Sequence, residues 1–305
     1  MIRSENIQET KVGILGMGAI GSVISTLLCD SIRSSTSFYS RTERNFISVN
    51  GPTGSSRLMA KVSDNPAEKY HLDWLIICLK FHQYPDASDI IKSLINPQTK
   101  IVQIGNGIGL KSRLNDIVER NPILECMIDC PTEERKPYEY QQLSKAVIQL
   151  SKGALADDFT SLFNQNSIKF NLVNDFLTAN WKKTIESSML GGLMVSINGT
   201  VKDIKEQNLI DTFRKGVVEA MKVARADGAK IPDDFPIELL AKLQQYSPDK
   251  GSSMLTDFRK KKTLEIGAKN GLITSFGKKF GIPTPINNLL VATMHRKQAS
   301  YETER

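Results

Sequence analysis

Histidine and tryptophan are scarce, with three and two residues in a chain of 305. His71, His82 and His295 lie too far apart in sequence to share a helix face, so a histidine-based metal centre has no support and no metal is expected. The four cysteines, Cys29, Cys78, Cys126 and Cys130, contain no C-x-x-C pair and sit mostly in apolar surroundings, which suits reduced core thiols. No apolar run reaches the length of a membrane span. The stretch from Met1 to Thr10 is polar, without the apolar core of a signal peptide, so a cytoplasmic location is expected and a membrane partner is not. There is no repeat and no low-complexity segment.

What is present is ordinary soluble material, 40% hydrophobic and 24% charged, long enough for a sizeable core and two domains. The net charge of +7 raises the question of nucleic acid. The basic residues are spread along the chain, however, and the densest run, Arg259 to Lys262, would point in different directions on a helix. A solvated surface fits that run better than a phosphate-tracking stripe, and no nucleic-acid partner is expected. A general positive field also favours anionic small molecules.

The most informative stretch is Lys11 to Gly21. Val12, Ile14 and Leu15 suit a buried strand, and Gly16, Gly18 and Gly21 fill the positions of G-x-G-x-x-G. Gly16 allows a tight turn, Gly18 lets the backbone come close to a pyrophosphate, and Gly21 lets the next helix pack near the strand. A helix expected from Ala19 to Asp30 would turn its free N–H groups toward the phosphates. The backbone from Gly16 through Met17, Gly18, Ala19 and Ile20 to Gly21 is therefore the candidate dinucleotide seat. The spacing alone also fits an ordinary glycine-rich turn; the strand before it and the amphipathic segment after it favour the dinucleotide.

Thr36 to Tyr39 reads as a second strand, ending in Ser40, Arg41 and Thr42 with Arg44 close behind. An acidic residue about 20 positions past the glycines would bind a ribose 2′-hydroxyl and repel a 2′-phosphate. Arg41 stands there instead, which favours NADPH over NADH, unless it is a plain surface residue. Trp74 to Leu79 is apolar throughout, as a doubly covered parallel strand should be, and Lys80 follows at its carboxyl end. Ile101 to Ile104 leads in the same way into Asn106 among glycines. Each polar residue has a bland reading too, Lys80 as a solvated cap and Asn106 as a turn residue. Short strands at Ile123 to Ile128, Ala146 to Leu150 and Ile168 to Asn171, with a helix near Phe159 to Phe163, complete the sheet.

After about Asn174 the pattern turns helical: Asn180 to Ile197, Asp203 to Asp227, Pro236 to Tyr246, Ser253 to Phe280 and Thr284 to Gln298. The expected organisation is an α/β Rossmann-type dinucleotide-binding domain over residues 1–173 and an all-α substrate and catalytic domain over residues 174–305. Trp181, Ile185 and Met189 form a core stripe, while Lys183, Ser187 and Gly191 fall along another face. Ser253 is placed to cap the segment that carries Glu265 about three turns later. A ketone reductase needs a proton donor and a positive charge at the carbonyl oxygen, and a lysine supplies both. Lys183 paired with Glu265 would be such a group.

Together these residues resemble the ketopantoate reductase (2-dehydropantoate 2-reductase) family over nearly the full length. The likeness rests on the glycine motif, Leu79 and Lys80, Asn106 and Gly107, Trp181 to Lys183, and Ser252 to Leu255 with Asp257, Glu265, Asn270 and Gly271. It implies an active site in the cleft between the two domains and an NADP(H) cofactor. It also implies reduction of the 2-oxoacid ketopantoate to pantoate, for pantothenate and coenzyme A biosynthesis. On the matching positions, Lys183 is the catalytic proton donor and Glu265 the acid that orients it. Lys80 and Asn106 border nicotinamide and substrate, Ser253 binds substrate, and Arg41 meets the 2′-phosphate. The family's asparagines four and eight residues after the lysine are replaced by Ser187 and Gly191, and its Gly-x-Thr segment by Cys130 to Glu134. Ser187 retains a hydrogen-bonding group and Gly191 has none. Two other readings stay open: a reductase of a different 2-oxoacid or ketone, and a non-catalytic NADP(H)-binding protein. A homodimer is allowed for.

Overall fold

The computed structural model describes residues 10–63, 72–118 and 120–302; His71 and the first nine residues fall outside them. The chain forms two compact units, one of Met1–Gly105 with Gly109–Asn174, the other of Asn106–Ile108 with Asp175–Arg305.

The first unit begins with β1 (Val12–Leu15), α1 (Ala19–Leu27), α2 (Asp30–Ser34), β2 (Thr36–Tyr39), β3 (Ile47–Gly51), β4 (Gly54–Leu58), β5 (Val62–Ser63) and β6 (Trp74–Ile77). It continues through α3 (Ser88–Leu94), β7 (Lys100–Ile104), α4 (Leu110–Asn115), β8 (Ile123–Asp129), β9 (Thr132–Lys136), β10 (Glu139–Gln142), β11 (Ala146–Ser151), α5 (Ala154–Thr160) and β12 (Ile168–Val173). Eight strands make one sheet in the order β12-β11-β8-β7-β6-β1-β2-β5. All its pairings are parallel except β8 with β11. The apolar runs explain this: alternate residues of β1, β6 and β7 go to opposite cores. Val12, Ile14, Trp74, Ile76 and Val102 fill one, and Leu15, Leu75, Ile77 and Ile101 the other. A parallel strand covered on both faces calls for apolar side chains on both, and these strands supply them at all positions but Gly13, Lys100 and the buried Gln103.

Two features of this unit depart from the sequence expectation. The first helix stops at Leu27 rather than Asp30, because Leu28 bridges to Phe163 and the Cys29 N–H donates to the Leu162 carbonyl at 2.9 Å. Those backbone groups are then lost to the helix, and α2 starts anew. A second sheet of order β4-β3-β10-β9 packs near α1 and was not legible. Its outer strands read Gly-Ser-Ser-Arg-Leu and Thr-Glu-Glu-Arg-Lys, with no buried residue in either, so the alternation that reveals a strand is missing.

The second unit is helical: α6 (Phe176–Ile197), α7 (Val201–Glu206), α8 (Ile210–Ala226), α9 (Phe235–Gln245), α10 (Ser253–Arg259), α11 (Asn270–Phe280) and α12 (Pro285–Glu302). Its centre is α6, whose Trp181, Ile185 and Met189 are wholly buried, as the core stripe predicted. Gly216 of α8 lets that helix close on α6, since a Cβ there would meet Met189 Cε at 2.3 Å. Two long helices expected from periodicity are broken. Asn208, at φ +58°, separates α7 from α8. Lys261, at φ +51°, ends α10, and the Tyr301 hydroxyl holds the Lys262 carbonyl at 2.8 Å in the turn that follows. Gly228 and Gly281, both with positive φ, stand just beyond α8 and α11 where helix stops were expected. No helix among the described residues is long and apolar enough to cross a membrane.

Candidate active site

In the first unit the chain leaves β1 at Gly16, whose φ is +97°. A Cβ there would lie 2.8 Å from the Cys78 carbonyl oxygen, and one at Gly21 would lie 2.2 Å from the Gly16 carbonyl oxygen. Both glycines are therefore required by the turn itself. Gly18 is different: it is exposed, and a Cβ on it would meet nothing within 4 Å. Gly18 also heads α1, with no side-chain cap and no acidic residue in the first turn, so the first N–H groups and the positive end of the helix dipole are unneutralised. An open glycine backbone above an uncapped helix N-terminus fits the pyrophosphate of a dinucleotide. Ala19 and Ile20 are half-buried, whereas the Met17 side chain is 1% exposed and belongs to the core, so only its backbone serves the loop.

Arg41 lies in the bend after β2, fully at the surface, and makes no hydrogen bond or ion pair with a described residue. Arg44 does not join it there. It is buried, with Nη2 donating to the Met17 carbonyl. Lys80 follows β6, half-buried, and its N–H donates to Gln83 Oε1 at 2.8 Å. Nearby, burial pushes the Cys78 thiol up to about 12, so it is protonated at neutral pH.

In the second unit, Asp175 caps α6, accepting from the Thr178 N–H at 3.0 Å and its hydroxyl at 2.8 Å, which hold the Asp175 carboxyl below the usual range. Lys183, Ser187 and Gly191 follow one another at single-turn spacing on this helix, the first two half-buried. The neighbouring lysine is engaged elsewhere: Lys182 Nζ lies 3.5 Å from Glu238 and 5.0 Å from the Phe235 ring centre, both on α9. Register therefore leaves Lys183 as the lysine of the Ser187 face. Ser187 donates to its own helix at the Thr184 carbonyl, 3.3 Å away. Met254 of α10 takes the space beside Gly191, with its Sδ 3.0 Å from where a Cβ would stand.

Ser253 does not cap α10. Ser252 does, accepting from the Leu255 N–H at 3.1 Å, and this leaves Ser253 exposed in the first turn. Glu265 is not on a helix; it is half-buried in the connection ahead of a short 3₁₀ turn, Ile266–Ala268. No hydrogen bond or ion pair joins Glu265 to Lys183 among the described residues. Asn106 Oδ1 is buried without a hydrogen-bond partner, and the next residue, Gly107, has φ +126° and packs on Ala268.

Two groups near these residues were given no role from the sequence. Asn180, one turn before Thr184 and 4% exposed, donates to the Gly107 carbonyl at 3.0 Å and so ties α6 to the Asn106 segment. Asn270, wholly buried, donates to Asn287 at 2.9 Å, and Asn287 in turn donates to Glu219 at 2.9 Å. Glu219 also accepts the Ile286 and Asn287 N–H groups at the start of α12. For Asn180 the available signal was the four-residue spacing of Asn180, Thr184 and Ser188, beside the apolar stripe of Trp181, Ile185 and Met189. Among the described residues no group of three or more His, Cys, Asp or Glu side chains could hold a metal ion.

Two family models match, the ketopantoate reductase PanE/ApbA model over residues 12–154 and its C-terminal model over residues 175–298. A 2-dehydropantoate 2-reductase of Caulobacter vibrioides is 24% identical over 286 residues, covering 94% of this chain and 98% of the relative. A dimeric ketopantoate reductase from Staphylococcus aureus superposes with a TM-score of 0.84 at 20% identity, over 95% of this chain and 99% of that one. A D-mandelate dehydrogenase solved with NADH and anilino(oxo)acetate gives the same TM-score, identity and coverage. The Rossmann-type α/β unit and the helical unit thus match the architecture of known relatives, and the chain belongs to the ketopantoate reductase PanE/ApbA family of oxidoreductases.

Proposed function

We propose that this protein is an NADPH-dependent 2-oxoacid reductase that converts ketopantoate to pantoate, serving pantothenate and coenzyme A biosynthesis from the cytoplasm, as a homodimer. The observation that carries the reading is the open backbone at Gly18 above the uncapped start of α1, in a chain that belongs to this family along most of its length. Residues 1–173 form the NADP(H)-binding domain and residues 174–305 the substrate and catalytic domain. Gly16 to Gly21 hold the pyrophosphate through backbone N–H groups. Arg41, exposed and unpaired with any described carboxylate, takes the 2′-phosphate.

The dinucleotide supplies hydride to the carbonyl carbon. Lys183 gives the proton to the carbonyl oxygen and steadies the negative charge as it develops there. Glu265 is the positioning residue for that lysine. Asn106, whose Oδ1 is buried without a partner, and Lys80 border nicotinamide and substrate. Ser253 offers a hydroxyl to the substrate, and Ser187 borders it with a hydroxyl donated to the Thr184 carbonyl of its own helix.

A second reading keeps the chemistry and changes the substrate to another 2-oxoacid. It is favoured by Gly191, which has no side chain and faces Met254, and by the likeness to a D-mandelate dehydrogenase. The deciding experiment follows NADPH absorbance with ketopantoate, 2-oxoisovalerate and phenylglyoxylate, with NADH in parallel. Fast NADPH oxidation by ketopantoate supports the first reading, and turnover only with the others supports the second. Binding of NADPH with no turnover on any oxoacid would overturn both.

A further inference from the structure

Arg44 is 8% exposed, in the segment between β2 and β3. Its Nη2 donates to the Met17 carbonyl and lies 3.5 Å from Ser22 Oγ, which is itself wholly buried in α1. The guanidinium stacks 4.7 Å from the ring centre of Tyr138, a residue held at φ +66° in the turn between β9 and β10. Burial raises the Tyr140 phenol nearby, and the Arg44 charge pulls it back down. Among the described residues no carboxylate pairs with Arg44, and its Nε is buried with no partner. A desolvated cation is costly unless its surroundings compensate, and here it stands beside the positive end of α1 as well. Two positive ends in one buried place call for an anion in front of them.

The carbonyl that Arg44 holds is what makes this specific. In a trans peptide the C=O and the N–H of one unit point in opposite directions, so the hydrogen bond that draws the Met17 carbonyl inward turns the Gly18 N–H outward. No described peptide bond is cis. The Gly18 N–H is thereby turned away from Arg44, in an exposed residue whose Cβ position is open. If that peptide flipped, a carbonyl dipole would face the phosphates instead. The Arg44 clamp and the Tyr138 ring that backs it thus belong to the loop and not to the surface.

We infer that Arg44 is a positioning residue for dinucleotide binding: it locks the Met17–Gly18 peptide with its N–H toward the pyrophosphate and adds a buried positive charge behind it. This rests on the reading of Gly16 to Gly21 as the dinucleotide seat. A pyrophosphate is common to NADPH and NADH, whereas a 2′-phosphate is not. The two arginines therefore separate. Arg41 should discriminate between the dinucleotides, and Arg44 should not.

The test titrates the full-length protein with NADPH and with NADH, following nucleotide fluorescence, in the wild type, Arg44→Met, Arg44→Lys and Tyr138→Leu. Arg44→Met is expected to raise both dissociation constants by the same factor, about tenfold or more, the loss expected for a charge-assisted hydrogen bond. Arg44→Lys should recover part of the affinity, and Tyr138→Leu should weaken both nucleotides by an equal, smaller factor. A purely structural role would lower the melting temperature and leave both constants where they were. Unchanged constants in Arg44→Met overturn the inference, as does weakening of NADPH alone. Should Arg44→Met fail to fold, wild-type affinity in both Arg44→Lys and Tyr138→Leu overturns it equally. A wild-type protein that binds neither nucleotide would overturn the dinucleotide reading first and this inference with it.

Discussion

Adding one methyl group at Gly18 separates binding from folding. Gly18 has φ −76° and ψ −156°, which alanine adopts without strain, and its Cβ would touch nothing within 4 Å. Alanine is a poorer N-cap than glycine by up to about 1 kcal/mol, and a less flexible unfolded chain returns about 0.4–1 kcal/mol. The melting temperature of Gly18→Ala should therefore stay within roughly 4 °C of the wild type. Affinity is another matter, because the methyl group occupies the space through which the pyrophosphate reaches the backbone. Loss of one hydrogen bond to a charged oxygen costs about 1.5–3 kcal/mol, or roughly a 10- to 150-fold rise in the dissociation constant for NADPH. Gly21→Ala is the control: its Cβ would stand 2.2 Å from the Gly16 carbonyl oxygen, so the turn itself must move and stability must fall. Calorimetric titration and a thermal melt on both variants check this. If Gly18→Ala binds NADPH within twofold of the wild type, the pyrophosphate does not sit on this loop.

Lys183→Ala should lower the turnover number by orders of magnitude and leave the NADPH dissociation constant nearly unchanged, as steady-state kinetics with a separate binding titration will tell; near-normal turnover would remove Lys183 as the acid. Arg41→Asp should weaken NADPH far more than NADH, measured as the ratio of their kcat/KM values, and an unchanged ratio would refute the 2′-phosphate assignment. Burial raises the Glu125 carboxyl above its usual value, against the opposing pull of Lys111. A carboxyl raised in the folded state binds more protons there than in the unfolded chain, so its contribution to stability falls as pH rises from the unfolded value of about 4.5 up through the raised folded one. Glu125→Gln should thus melt higher than the wild type at neutral pH, with the gap shrinking as pH drops toward 4.5; a gap independent of pH would contradict the burial argument.

Much of the fold was legible because its signals are local. The strands at Val12 and Trp74 announce themselves as short apolar runs, the strand at Lys100 as one broken by Gln103, and α6 by its 3.6-residue stripe of Trp181, Ile185 and Met189. The second sheet was not legible because β9 is charged at nearly every position and β4 is small and polar. The helix breaks at Asn208 and Lys261 were missed for another reason. A left-handed residue other than glycine leaves no mark in composition, and the periodicity runs straight across it. Among the candidate site residues, motif position could name Lys183, Ser253 and Glu265, but it misjudged what holds them. It assigned the α10 cap to Ser253 instead of Ser252, and it put Glu265 on a helix when the chain has already left one. The direction of Arg44 was beyond sequence altogether, since Arg41 and Arg44 look alike on paper and differ only in which way the bend turns them.

The choice of substrate comes down to the α6 face beyond Lys183. Ketopantoate carries a distal hydroxyl, and a pocket that reads it needs a polar partner set against it. Here Ser187 Oγ is turned to the Thr184 carbonyl, and the next position along the face is Gly191, backed by the thioether of Met254. A hydroxyl without a built partner gains little over the methyl of 3,3-dimethyl-2-oxobutanoate, the same branched acid without that hydroxyl. A pocket built for the hydroxyl would favour ketopantoate by 10⁴-fold or so, while a pocket that merely accommodates it gives a preference of about tenfold to a hundredfold. The kcat/KM ratio of the two acids should therefore lie at or below about a hundred, and Ser187→Ala should move it by less than about threefold, because a hydroxyl spent on its own helix has little left to give. A ratio in the thousands that collapses in Ser187→Ala would mean that the serine rotates away from Thr184 to meet the substrate, and that one hydroxyl on α6 does the work of reading ketopantoate.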